Sequence, residues 1–142
     1  MERNDYISKS PSDTWEIGEE IGRRAARGDI YALYGELGAG KTQLVKGIAR
    51  GLGIDEWQYV VSPSFTLMNI YEGRLNLCHV DLYRIDEAEA EMLDVEEHLR
   101  DGIVVVEWAE RGNWNEMVTR VFLEVLGEEK RRVIVQRRSP QS

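Results

Sequence analysis

The run Gly35-Glu36-Leu37-Gly38-Ala39-Gly40-Lys41-Thr42 constrains this chain more than any other segment, because it fits the phosphate-binding pattern G-x-x-x-x-G-K-[ST]. Glycines let the backbone curl until several N–H groups face one anion. The lysine adds a positive charge for the β- and γ-phosphates, and the threonine hydroxyl can reach a Mg²⁺ ion. Both flanks agree with the motif. Ile30–Tyr34 is a short apolar, β-prone run that reads as a buried strand. Leu44, Val45, Ile48, Ala49 and Leu52 then recur at helical spacing, with Gly53 as the expected C-terminal cap. Strand, glycine-rich loop and helix together aim a helix N-terminus at a phosphate. The chain is therefore expected to bind a nucleoside triphosphate.

The remaining segments supply a sheet around that unit. Ser10-Pro11-Ser12-Asp13 predicts a helix start, followed by Trp15, Ile17, Ile21 and Ala25 and closed by Gly28. A loop carrying Ser62, Pro63, Ser64, Phe65 and Thr66 leads into apolar runs at 67–71 and 75–82. Glu72-Gly73 between them predicts an antiparallel hairpin. Asp86 with Glu89 forms a capping box that opens an acidic helical stretch expected to reach about Arg100. Its carboxylates read as a solvated face or a partner surface. Ile103, Val104, Val105 and Val106 make a continuous β-branched run typical of a central strand buried on both faces. The segments 121–126 and 133–136 read as a closing hairpin, and the basic run Lys130-Arg131-Arg132 with Arg137 and Arg138 as a solvated strand edge blunted by cations. The expected fold is α/β: a P-loop NTPase-type sheet with parallel central strands, antiparallel hairpin additions and helices on both faces, with residues 1–142 as one domain.

Bulk properties narrow the partners. At 142 residues the chain can build one core but not a second. It has no apolar run long enough to span a membrane, and Met1-Glu2-Arg3-Asn4-Asp5 lacks a signal-peptide core. One cysteine, Cys78, cannot form an internal disulfide, which fits a reducing cytoplasm. A net charge of −8 argues against gripping DNA or tRNA through the overall field.

Binding triphosphate is not hydrolysing it; that needs acids which hold a metal or orient water. Glu107 closes the 103–106 strand, where a carboxylate at the carboxyl edge faces the crevice beside the phosphate loop. Asp81 closes the second strand of the predicted hairpin. Acids that end apolar strands usually have a metal or a donor as partner, since a bare buried charge is costly. Glu107 is expected at a Mg²⁺ site through bound water, and Asp81 as a catalytic or supporting carboxylate. Trp108 is positioned to stack on a base, or simply to pack. His79 reads as a hairpin residue, with no second histidine or cysteine at metal spacing. Ser62, Ser64 and Thr66 occupy the place of a switch loop that offers hydroxyls to Mg²⁺ or the γ-phosphate.

In order, Glu36-Leu37-Gly38-Ala39-Gly40-Lys41-Thr42, Ser62-Pro63-Ser64-Phe65-Thr66, His79-Val80-Asp81-Leu82-Tyr83-Arg84 and Val106-Glu107-Trp108 closely resemble the TsaE family, also called YjeE. These are small P-loop ATPases of bacterial tRNA threonylcarbamoyladenosine synthesis. The resemblance runs from the Thr14 helix to the terminal hairpin, and H-x-D-x-Y-R beside E-W is more specific than the P-loop. It implies binding of ATP or ADP with Mg²⁺, slow hydrolysis alone, and association with the TsaD–TsaB pair that modifies adenosine 37, so that tRNA is met through the complex. The family's ATP cycle permits multiple turnovers without performing the transfer itself. Carried over, Glu36 to Thr42 with Trp108 bind nucleotide, Thr42 and Glu107 sit at Mg²⁺, Lys41, Asp81 and Glu107 are catalytic, and Ser62 to Thr66 form the switch. The segment 111–118 departs from the pattern in having no proline after E-W.

Two other classes share the motif. A small-molecule kinase would add a lid with phosphoryl-clamping arginines, for which only Arg84 and Arg111 are placed suitably. A non-hydrolysing interaction module would hold ATP as a structural ligand. Phosphate release without an acceptor separates hydrolase from kinase, and turnover with partners separates both from the module.

Overall fold

Apolar alternation along the chain resolves into strands that share one sheet, and a computed structural model describes residues 2–63, 66–114 and 118–137. In chain order the elements are β1 (Glu2–Ser8), α1 (Pro11–Arg24), β2 (Ile30–Tyr34), α2 (Lys41–Gly51), β3 (Met68–Tyr71), β4 (Asn76–Asp81), α3 (Glu87–Glu91), β5 (Gly102–Glu107), β6 (Thr119–Val125) and β7 (Arg131–Arg137). The sheet order is β1-β7-β6-β2-β5-β4-β3. β2 pairs in parallel with both β5 and β6, and β5 in parallel with β4. The hairpins β3–β4 and β6–β7, and the β1–β7 pair, are antiparallel. This is the expected architecture: a parallel centre with antiparallel additions.

Side-chain alternation sorts the strands onto two faces. Tyr31, Leu33, Leu77, Ile103, Val105, Val121 and Val133 point to the side that α1 and α2 cover. Ala32, Cys78, Val80, Val104 and Val106 point to the other side, under Ile85, Ala90, Leu93, Val95, Leu99 and Trp114. Cys78 is buried there as a free thiol, and burial pushes its pKa up to about 11.

Three expectations need correction, and one strand had not been expected. The acidic stretch is not one helix: α3 stops at Glu91 and a separate 3₁₀ turn covers Glu96–Leu99. Leu93 and Val95 both pack on the sheet, yet two residues apart they would face opposite sides of a continuous helix. Burying both requires the break. α1 ends at Arg24 rather than near Gly28, and the Arg74 guanidinium donates to the Gly22 carbonyl at 2.8 Å in its last turn. β7 is not an edge, because β1 lies outside it. The basic run is accordingly engaged: Arg131 donates to the Gly38 and Gly127 carbonyls, and Arg132 pairs with Glu124 at 3.4 Å. Arg138 lies outside the described residues. β1 itself went unread because Glu2-Arg3-Asn4-Asp5 is too polar to signal a strand.

α1 and α2 touch backbone to backbone. A Cβ on Gly18 would stand 2.4 Å from the Leu44 carbonyl oxygen, and one on Gly22 2.3 Å from that of Ile48. From the other side, a Cβ on Gly47 would meet the Trp15 carbonyl oxygen at 2.3 Å and one on Gly51 that of Glu19 at 2.2 Å. Helix-interior glycine costs about 1 kcal/mol relative to alanine, so these residues are retained for the close approach. Thermal and urea unfolding of Gly47→Ala should therefore show a loss of about 1–3 kcal/mol, since the obstructing atoms are backbone and cannot move aside. A stabilised variant, as helix propensity alone dictates, would contradict the packing.

Candidate functional site

The phosphate loop begins where β2 leaves the sheet. Gly38 (φ +82°) and Gly40 (φ +97°) adopt left-handed conformations that glycine reaches without strain. The Ala39 amide donates to the Glu36 carbonyl at 3.0 Å and tightens the loop. Gly40 is the N-cap of α2 and has no side chain to occupy the helix's first amides, and no acid lies in that first turn. The positive end of the helix therefore stays available to an anion.

Lys41 opens α2 and is 5% exposed. Its ammonium donates to the Gly35 carbonyl, and to that of Glu36 at 3.1 Å. The Trp108 ring lies over it, with Nζ 3.9 Å from the ring centroid, and Tyr83 packs on Trp108 at 4.8 Å. Burial lowers the lysine's pKa from the ordinary range, opposed by the carboxylates of Glu107, Glu110, Asp81 and Glu36. Trp108 thus stands against Lys41 beside the glycine-rich loop, in a left-handed backbone conformation (φ +58°) of a kind that costs a non-glycine residue roughly 1–2 kcal/mol.

The acids come from the sheet. Asp81 ends β4, Glu107 ends β5, and the two are register partners at the carboxyl edge of the parallel strands. Both are 2% exposed, so both need donors. The Thr42 hydroxyl donates to the two Glu107 carboxylate oxygens, each at 3.1 Å, and His79 Nε2 lies 2.6 Å from Oε2. Asp81 accepts from the Ser62 hydroxyl and from the Tyr83 amide at 2.8 Å.

These groups line one cavity of about 420 Å³, walled by Leu37 to Gln43, Ser62, Asp81, Tyr83, Arg84, Glu107 and Trp108. A smaller hollow of about 200 Å³, between Ser10, Pro11, Thr14 and Arg131, shares Gly40 and Gln43 with it. A third of about 500 Å³ lies on the opposite face of the sheet, away from the phosphate loop. Of the expected switch hydroxyls, Ser62 reaches the site. Thr66 instead bonds Asn69 at 3.1 Å, and Ser64 lies outside the described residues. Arg84 lines the cavity, whereas Arg111 lies 6.0 Å from the Tyr83 ring centroid.

Sequence reasoning missed His79, read as an ordinary hairpin residue. Its signal was the alternation Leu77, His79, Asp81, which puts His79 on the face of Asp81 and Glu107 once β4 is known to pair with β5. Arg131, legible in the sequence only as part of a basic strand edge, reaches the Gly38 carbonyl at 3.1 Å.

A sequence model described as threonylcarbamoyl adenosine biosynthesis protein TsaE matches residues 8–137. The tRNA threonylcarbamoyladenosine biosynthesis protein TsaE of Treponema pallidum (strain Nichols) is 40% identical over 134 residues, covering 91% of this chain and 97% of that protein. Its counterpart from Aquifex aeolicus (strain VF5) is 37% identical over 135 residues, covering 94% and 96%. The crystal structure of Bacillus subtilus YdiB superimposes with a TM-score of 0.73 at 28% identity, over 94% of this chain and 84% of that one.

The contact between Trp108 and Lys41 makes the indole a reporter of the loop. A polyphosphate that draws Lys41 off the Gly35 and Glu36 carbonyls changes what the ring touches. Adding ADP should shift tryptophan emission, and Trp108→Phe should remove most of that shift. An undiminished response in the variant would assign the signal to Trp15, Trp57 or Trp114.

Proposed function

The chain belongs to the TsaE family of threonylcarbamoyl adenosine biosynthesis proteins, and from that premise we propose that it is a Mg²⁺-dependent ATPase whose turnover is set by its partners. The observation that carries this reading is the convergence of Lys41, Thr42, Asp81 and Glu107 at one cavity, from a helix N-terminus and two adjacent strand ends.

Each residue has a role that its geometry supports. The glycine-rich loop and first turn of α2 receive the β- and γ-phosphates, and Lys41 exchanges its carbonyl partners for phosphate oxygens. Thr42 and Glu107 offer hard oxygen donors, which suit magnesium. Because the Thr42 hydroxyl gives its proton to Glu107, its lone pairs are left for a cation. Among the described residues no group of three or more His, Cys, Asp or Glu is arranged to hold a metal. Thr42 and Glu107 are therefore the residues that would hold the ion, with water and phosphate oxygens able to supply the rest, as is usual for magnesium. Magnesium, when bound, supplies charge neutralisation for the phosphates. Asp81 orients the attacking water or, through Ser62, ties the loop at 61–63 to the state of the site.

The same reading places the chain in the cytoplasm beside TsaD and TsaB, supporting threonylcarbamoyl transfer to adenosine 37 of tRNA without performing it. The net charge of −8 supports contact with tRNA through the partners, since direct binding rests on cationic contacts with phosphate. The exposed acids around Glu89 to Glu97, with the loop at Ser62, are the proposed partner face. A kinase reading is weaker, because a phosphoryl-clamping lid needs several arginines and, among the described residues, Arg84 is the one arginine lining the cavity.

Lys41→Ala should remain folded and lose ATP hydrolysis by on the order of a hundredfold or more. Parental activity in that variant would end the P-loop assignment. Glu107→Gln should weaken nucleotide binding chiefly when Mg²⁺ is present, whereas Asp81→Asn should keep nucleotide affinity and lose turnover; the opposite pattern exchanges the roles. ADP formation should be slow for the chain alone and rise when TsaD–TsaB is added, and again with tRNA. Rapid hydrolysis alone, unchanged by TsaD–TsaB and without a complex on a sizing column, would favour a free-standing nucleotide enzyme.

A further inference from the structure

We propose that His79 is a positioning residue that sets the direction in which Glu107 and Thr42 present their oxygens to magnesium, an inference that rests on the metal reading above. His79 sits in the middle of β4, wholly buried, with its register partners Asn69 on β3 and Val105 on β5. Its Nε2 is 2.6 Å from Glu107 Oε2, closer than the Thr42 hydroxyl at 3.1 Å from either carboxylate oxygen. With the proton on Nε2, the imidazole donates to Oε2 and pins one edge of the carboxylate.

The other imidazole nitrogen separates this role from ordinary packing. Nδ1 is buried and has no hydrogen-bond partner among the described residues. A histidine kept to satisfy a core hydrogen-bond network uses both nitrogens, and one kept for packing is better replaced by leucine. Here one nitrogen stays unmet while the other serves Glu107, so the carboxylate is what the residue is for. The chain of donors has one sense. His79 fixes Oε2, the fixed carboxylate accepts the Thr42 hydrogen bond, and the Thr42 oxygen keeps its lone pairs for a cation. Without His79 the carboxylate rotates about its terminal torsion, and Thr42 loses its fixed acceptor. Groups that orient a ligand in this way typically change metal affinity about 10–100-fold when removed.

The test measures binding of a fluorescent ADP analogue in EDTA and across a magnesium titration, with unfolding midpoints recorded alongside. His79→Leu should leave affinity in EDTA unchanged and raise the magnesium concentration for half-maximal enhancement about tenfold or more. His79→Gln places an amide donor near the Nε2 position and should restore the magnesium dependence to within a few-fold. A purely structural role would lower the midpoints without separating the two binding conditions. Wild-type magnesium dependence in His79→Leu overturns the proposal, as does equal impairment of His79→Gln. If His79→Leu does not fold, His79→Asn replaces it: its shorter amide falls short of Glu107, so parity between Asn and Gln overturns the proposal too. Thr42→Ala and Glu107→Gln run in parallel identify the source of a failure. Normal magnesium dependence in those variants refutes the metal reading and takes this inference with it. Loss in those variants with none in His79→Leu refutes the role of His79 alone.

Discussion

A carboxylate withdrawn from water must find donors, and that requirement ties the two layers of this protein together at its working edge. Glu107 ends a strand buried along its whole length, so it cannot turn to solvent. Its donors come from either side: Thr42 from the first turn of α2, His79 from the neighbouring strand. Asp81, one strand over, draws in Ser62 from the connection that follows α2. Desolvation of a lone carboxylate costs several kcal/mol, more than a small domain can absorb twice. The same bonds that relieve this cost set the phosphate loop, the sheet and the following loop in one geometry.

Behind the loop, α2 is held by contact at van der Waals range with α1. The glycine pairs remove side chains from the crossing, so the helix axes approach until backbone meets backbone. Side chains that would otherwise separate the helices are displaced to its flanks, where Ile17, Ile21, Leu44 and Ile48 reach the sheet-side core. The N-terminal end of α2 is thereby fixed by steric contact at its back, independently of the polar bonds at its front.

Much of this was legible in the sequence, for reasons that differ by segment. The 30–34 and 103–106 runs were readable because strands buried on both faces carry continuous apolar residues. The phosphate loop was readable because its φ angles demand glycine at Gly38 and Gly40. Asp81 and Glu107 were identified as strand-ending acids, yet their pairing with Ser62, Thr42 and His79 depends on strand order, which local pattern does not encode. β1 escaped because an edge strand needs few apolar residues, and the 86–100 stretch misled because a good capping box specifies where a helix starts and not how far it runs. The role of Trp108 against Lys41 follows from a left-handed turn at a tryptophan, a conformation no propensity predicts.

The order of strands has a consequence for synthesis. β2, which carries the phosphate loop, lies between β5 and β6, both made long after it. As the chain leaves a ribosome, β2 and α2 emerge with no strand to lie against, and Glu107 does not yet exist for Thr42 to meet. β1 waits longer still, since its partner begins at Arg131 and its own Glu2 aligns with Arg137. Contacts of such sequence separation make closure late and cooperative. A nascent chain therefore cannot assemble the cavity between the glycine-rich loop and the strand-end acids from its first half; that cavity arrives together with the completed sheet.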